Sequence, residues 1–266
     1  MADTEYEDIL FERKDGIATI TINRPDSLNS VRPTTVIEMS LAVEIAEKDK
    51  TIGVIVLTGA GDRAFSSGGD VRWEKEGGLK ERHNTGVNMR IIHEAIRHAG
   101  KPVIAAVKGY AIGMGNHLAY HCDLTIAADN AIFGQNGPRV GSPAEGWIVS
   151  YLTHIIGSKK ARELWMLCRR YTAREALEMG LVNTVVPLDQ FDAEVKKWCD
   201  EILALSPGVL KIIKASFEAE SDYLREPSPN HFQKLVAPDF FDTGESLEGQ
   251  TAFLEKRKPD FSQYRR

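Results

Sequence analysis

The feature that most constrains this chain is a recurring junction, in which a short, almost wholly apolar run ends at glycine and gives way to a helical pattern. Gly53 to Thr58 reads GVIVLT and stops at Gly59-Ala60-Gly61-Asp62. Val103 to Val107 reads VIAAV and stops near Gly109, and Leu124 to Ala128 reads LTIAA. Runs like these suit strands covered on both faces. Strands that alternate with helices define an α/β organisation. Ile17 to Ile22 (IATITI) adds an alternating β-branched strand after the Asp15-Gly16 turn, and Asn23-Arg24-Pro25-Asp26 breaks it. The repetition is one of rhythm; no exact sequence repeat accompanies it.

Helical spacing of apolar residues spans Pro33 to Asp49, Lys159 to Leu167, Ala173 to Met179, Leu188 to Leu205, Val209 to Ala219 and about Ser246 to Glu255. Ser206-Pro207-Gly208 and the three prolines within 227–238 interrupt the later ones. This predicts an α/β core over residues 1–200 and a helical C-terminal segment over residues 201–266. Trp73 to Gly86 is rich in Glu, Lys and Gly. It reads either as a mobile surface loop beside a site or as an uninvolved one.

A chain of 266 residues buries roughly 75% of its unfolded surface, so it needs no disulfide staples. Cys122, Cys168 and Cys199 are odd in number and lack metal-type spacing, as expected of reduced thiols in a reducing compartment. The histidines show no ligand spacing with carboxylates, so no metal site is expected. A net charge of −5 argues against nucleic acid as a partner. No apolar run approaches ~20 residues, so no membrane span is expected. The acidic N-terminus lacks a signal-peptide order, which makes cytoplasmic the expected location.

Two glycine-rich turns carry the chemistry: Ser66-Ser67-Gly68-Gly69-Asp70 after the GVIVLT strand, and Tyr110 to Asn116 (YAIGMGN) after the VIAAV strand. Glycine lets backbone approach a ligand closely, and N–H groups at a helix start point outward with the positive end of the dipole. Two such turns can aim two donors at one oxygen, as an oxyanion hole requires. Neither matches a phosphate loop or a dinucleotide fingerprint.

The strings AFSSGGD, KPVIAAVKGYAIGMGN, CDLTIAADNAIFGQNGPRVG, EALEMGLVNTVVP and EKRKPDF resemble the crotonase (enoyl-CoA hydratase/isomerase) pattern over about residues 5 to 264. GAGDRAF, SVRP, NAIFGQNGP, KKARELW and CRRY are most similar to the branch of dihydroxynaphthoyl-CoA synthase and 2-ketocyclohexanecarboxyl-CoA hydrolase. The resemblance implies a crotonase-type spiral of ββα units with a helical C-terminal segment that trimerises and covers the active site. It also implies homotrimers or homohexamers and acyl-CoA thioester substrates. CoA then enters as part of the substrate, with no tightly bound cofactor.

On the same resemblance, the oxyanion donors are the backbone N–H groups of Gly69 and Met114, where Met114 departs from the usual glycine. The two glutamates of simple hydratases fall at His117 and Gly137, which disfavours plain hydration. The branch's aspartate and tyrosine fall at Ala144 and Phe241, so both expected side chains are missing. Glu145 and His117 are the acid–base candidates left; each is alternatively structural. Gln135 and Gly137 match positions where synthase relatives hold bicarbonate. Arg72, Lys256 and Lys258 are the basic positions for CoA, and Trp147 is either core or acyl-pocket lining. Ring-opening C–C hydrolysis of a cyclic β-keto acyl-CoA is the leading expectation. Ring closure, hydration or isomerisation, and a non-catalytic CoA-ester-binding homologue are the alternatives.

Overall fold

The computed structural model describes residues 5–78, 89–224 and 231–264. It resolves the junctions seen in the sequence into ββα units. The strand β1 (Ile9–Lys14) precedes β2 (Ile17–Ile22) and the helix Pro33–Lys48. Then β3 (Val54–Gly59) and β4 (Ala64–Ser66) lead into the short helix Val71–Trp73. Next, β5 (Val103–Val107) and β6 (Tyr110–Ile112) lead into Met114–His121, and β7 (Leu124–Ala128) and β8 (Ile132–Gly134) into Gly137–Val140. The strands β9 (Arg170–Thr172) and β10 (Thr184–Val186) flank the helix Ala173–Glu178.

The longer strands assemble in the order β1-β2-β3-β5-β7-β10, and the short ones in the order β4-β6-β8-β9. Only the β1–β2 pair of the larger sheet is antiparallel. This is the α/β spiral that the resemblance implied. Among the described residues no helix is long and apolar enough to cross a membrane.

The chain divides into two compact units: residues 1–68, 89–133 and 171–220, and residues 69–88, 134–170 and 221–266. In the first unit, successive side chains of β3, β5 and β7 point to opposite faces. Val54, Val56, Ile104, Ala106, Ile126 and Ala128 meet Phe191, Cys199 and Ile202 of the helix Phe191–Leu203. The intervening Ile55, Leu57, Val103, Ala105 and Ala127 are buried as well. Two covered faces explain why these strands read as unbroken apolar runs.

SVRP has a structural use in this unit. Arg32 precedes the helix that opens at Pro33, where a missing N–H costs nothing. Its guanidinium grips Asp8 with two bonds of 2.8 Å, and Thr35 donates to the same carboxylate at 2.6 Å. Burial alone would raise the Asp8 carboxyl, but Arg32, Thr35 and Arg24 outweigh it and hold the group below its ordinary range. The helix Pro207–Ser221 is anchored through Lys214, whose Nζ donates to the carbonyls of Ile96 and Lys101 and pairs with Asp123 at 2.7 Å.

In the second unit the helix Glu245–Leu254 backs the turn at Gly141, with Ser246 Oγ donating to the Gly141 carbonyl at 2.7 Å. The stretch expected to be a mobile loop from Trp73 is different over its first part. Asp70 caps the helix Val71–Trp73, and one wide turn continues over Glu74–Gly78 with Glu74 and Gly78 buried. The cap supplies the reason: its carboxylate accepts from the Arg72 and Trp73 N–H groups at 3.1 and 3.4 Å, a contribution of ~1 kcal/mol. Residues 79–86 of that expectation lie outside the described residues. The described part of 227–238 holds only the short helix His231–Val236, as its prolines required.

Candidate active site

The leading part of the first glycine turn, residues 66–68, meets the second turn inside the first unit. The segment 28–31 clamps the first of them. Asn29 is buried and donates to the Ala64 carbonyl at 2.7 Å, Ser67 N–H donates to Leu28 O, and Val31 N–H donates to Gly68 O at 2.8 Å. Gly68 has φ +105°. A Cβ placed on it would fall 2.9 Å from the Ile112 carbonyl oxygen and 3.5 Å from the Met114 nitrogen. Gly113 caps the helix Met114–His121 at φ 56°, ψ −119°, a conformation only glycine adopts without strain. Met114 is half-buried and is absent from the positive-φ residues, so its N–H is presented as the first of an ordinary helix. The departure from glycine therefore leaves the backbone of this helix start intact.

His117 stands one turn later and is buried. Its ring centroid lies 6.1 Å from that of His93 and 6.0 Å from that of Tyr120, while His93 and His121 are 5.0 Å apart. Burial, reinforced by neighbouring positive charge, drives His93 and His121 well below the ordinary histidine range, so both are neutral at pH 7. The structure sets His117 in this aromatic cluster.

The second unit holds Gly69 and most other residues named from the sequence. Gly69 lies against a carboxylate: a Cβ built on it would be 2.5 Å from Glu74 Oε1. The same oxygen accepts a hydrogen bond from Ser142 Oγ at 3.0 Å. Glu74 is only 8% exposed. Sequence reasoning passed over this residue because its Glu/Lys/Gly surroundings read as loop. The signal that would have found it is Asp70 as an N-cap, which starts a helical turn and folds residue 74 back beside residues 69 and 70.

Glu145 is half-buried and its Oε2 accepts the Gln233 N–H at 2.5 Å. Gln135 is buried, and Gly137 opens its short helix against the Ser142 carbonyl, which a Cβ there would meet at 2.6 Å. Trp147 is buried at 2% exposure. Arg72, Lys256 and Lys258 are exposed. Arg257 between the two lysines is occupied by Glu248, through two bonds of 2.8 Å, and by Glu255; its bonds, with the Asp260 N–H, hold Glu248 down to about 2. Ala144 and Phe241 are half-buried; neither can transfer a proton.

Fold and turns together define a ββα-spiral α/β protein in which the second glycine turn opens directly into the helix that starts at Met114. The enoyl-CoA hydratase/isomerase family model matches residues 12–265, and the chain belongs to that family, within the crotonase superfamily. An enoyl-CoA hydratase from Mycobacterium avium subsp. paratuberculosis is 31% identical with TM-score 0.81, covering 97% of this chain and 100% of that one. A methylmalonyl-CoA decarboxylase in complex with 2-nitronate-propionyl-CoA is 25% identical with TM-score 0.85, covering 97% and 99%. A monofunctional enoyl-CoA isomerase from M. smegmatis is 31% identical with TM-score 0.68, covering 84% and 96%.

Proposed function

We propose that this chain is an acyl-CoA enzyme that stabilises a thioester enolate with the backbone N–H groups of Gly69 and Met114. One observation carries the reading: Gly68, the residue before Gly69, packs on the turn that leads into Met114, where a Cβ on it would fall 2.9 Å from the Ile112 carbonyl oxygen and 3.5 Å from the Met114 nitrogen. Preorganised donors of this kind contribute about 3–4 kcal/mol each to a transition state that places charge on oxygen. The activities named for the three similar structures all involve acyl-CoA thioesters, which supports the substrate class.

The specific reaction we propose is ring-opening hydrolysis of a cyclic β-keto acyl-CoA, supported by the branch markers in the sequence. Water adds to the ring ketone, the C–C bond breaks towards the α-carbon, and the electron pair becomes the thioester enolate. A proton returned to that carbon completes the product. Hydration or double-bond isomerisation is the second reading, favoured by the hydratase and isomerase among the similar structures. Arg72, Lys256 and Lys258 are assigned to CoA phosphates because they are exposed cations. Gln135 and Gly137 are assigned to a small anion such as bicarbonate, a role supported by the buried amide of Gln135.

Residues 201–266 are assigned to trimerisation and to covering the site. Exposed apolar side chains support this role, including Ile212 at 68%, Phe217 at 70% and Val236 at 76%. Incubation with 2-ketocyclohexanecarboxyl-CoA and with crotonyl-CoA, followed by mass spectrometry, tests the reaction. A gain of one water by the cyclic ester alone is expected. A gain by crotonyl-CoA alone establishes hydration, and no gain by either overturns ring opening.

A further inference from the structure

We propose that Glu74 is the acid–base residue that moves the proton at the substrate α-carbon, with Ser142 as its positioning residue. The inference rests on the oxyanion reading above, because it places the α-carbon beside the Gly69 donor. It comes from three residues of the second unit. Glu74 Oε1 sits where a side chain on Gly69 would be, 2.5 Å from that residue's ideal Cβ, so the carboxylate and the Gly69 backbone share one small space. Ser142 Oγ donates to that same Oε1 at 3.0 Å, fixing the oxygen that faces Gly69. At 8% exposure the carboxylate is shielded from bulk water, which suits proton transfer to carbon.

The positions where relatives carry their acids hold His117, Gly137, Ala144 and Phe241 in this chain. Glu145, the nearest substitute in sequence, spends its Oε2 on the Gln233 N–H. Glu74 is the carboxylate that the fold brings against a donor residue of the hole.

The step balances with no further reactant. The Glu74 carboxylate takes the α-proton, the C–H electron pair moves into the bond between the α-carbon and the carbonyl carbon, and the carbonyl π pair moves onto the thioester oxygen held by the Gly69 and Met114 donors. The reverse step returns the proton to the α-carbon. In ring opening the enolate arises by C–C cleavage instead, and the carboxyl, having taken a proton from water, delivers it to the same carbon.

The test is exchange of the α-protons of propionyl-CoA and cyclohexanecarboxyl-CoA in D2O, followed by mass spectrometry, with binding of 2-nitronate-propionyl-CoA measured in parallel by calorimetry. The wild-type chain is expected to bind the nitronate and to exchange. Glu74→Gln is expected to bind it and exchange at least about 100-fold more slowly, the scale of lost general acid–base catalysis. Glu74→Asp, which keeps the charge but retracts it by one methylene, is expected to fall between the two and serves if the glutamine variant does not fold. Ser142→Ala is expected to slow exchange about 10-fold with unchanged binding, and Ser142→Thr, which keeps the hydroxyl, to recover part of it. Wild-type exchange in both Glu74 variants, or no exchange by a wild-type chain that binds the nitronate, overturns the role of Glu74 and leaves the hole standing. Failure of the wild-type chain to bind the nitronate overturns the hole and this inference with it.

Discussion

Ser142 Oγ donates to Glu74 Oε1 at 3.0 Å, and the same oxygen fills the space that a side chain on Gly69 would need. A side chain at 69 would thus displace the carboxylate from its place. Gly69→Ala places a methyl 2.5 Å from Oε1, so the carboxylate must move away. The expected result is a fall in kcat/KM for the active thioester of about 100-fold, with a melting temperature close to wild type. Steady-state kinetics and a thermal melt on the same preparation check both.

Gly113 precedes Met114, the other donor we propose. At φ 56° and ψ −119° an alanine pays backbone strain of about 1–3 kcal/mol. Gly113→Ala is expected to lower unfolding free energy by that amount in urea titrations. It should also reduce kcat/KM, because Met114 N–H is the next group along the chain.

The Asp8–Arg32 pair tests the fold apart from the site. Asp8 is 2% exposed, so Arg32→Ala leaves a buried carboxylate without its two-bond partner. Arg24 and Thr35 still face the carboxylate, so a loss of about 1–3 kcal/mol is expected by chemical denaturation. Since the folded Asp8 carboxyl lies below its unfolded value, its stabilisation is present above about pH 3.9 and is lost as pH falls through the folded value.

The histidine cluster governs a milder range. His93 and His121 are held neutral in the fold, whereas unfolded imidazoles protonate below about pH 6.5. The unfolded chain then binds more protons, so stability falls as pH drops below that value, by up to about 1.4 kcal/mol per unit for each histidine. Denaturant titrations at pH 7.5, 6.5 and 5.5 should show the slope, and His93→Gln should flatten part of it.

The three thiols make a simpler prediction. All are buried, and burial pushes Cys122 and Cys168 up and Cys199 up to about 11. A disulfide-exchange reagent at pH 8 is expected to label none in the native chain and all three in denaturant.

Much of the fold was legible because the larger sheet is covered on both faces. Ile17–Ile22, Val103–Val107 and Leu124–Ala128 appear at the bounds read from their β-branched and apolar runs. Ile9–Lys14 escaped because its charged residues mark an edge strand with one covered face, and Ala64–Ser66, Tyr110–Ile112 and Ile132–Gly134 are too short to show a period. At the site, the glycine turns stood out because the positive φ of Gly68 and its close approach to the Ile112 carbonyl disfavour other residues. Glu74 did not, because a charged residue in polar sequence carries no mark of burial. Only the Asp70 cap brings it inward.

The most direct test of the hole is the infrared difference spectrum of an acyl-CoA labelled with carbon-13 at the thioester carbonyl, recorded free and bound. Two backbone donors converging on that oxygen would weaken the C=O bond, so the labelled stretch is expected to shift to lower frequency on binding. The shift should diminish in Gly113→Ala. A bound thioester whose carbonyl frequency equals that of the free ester rules out the hole.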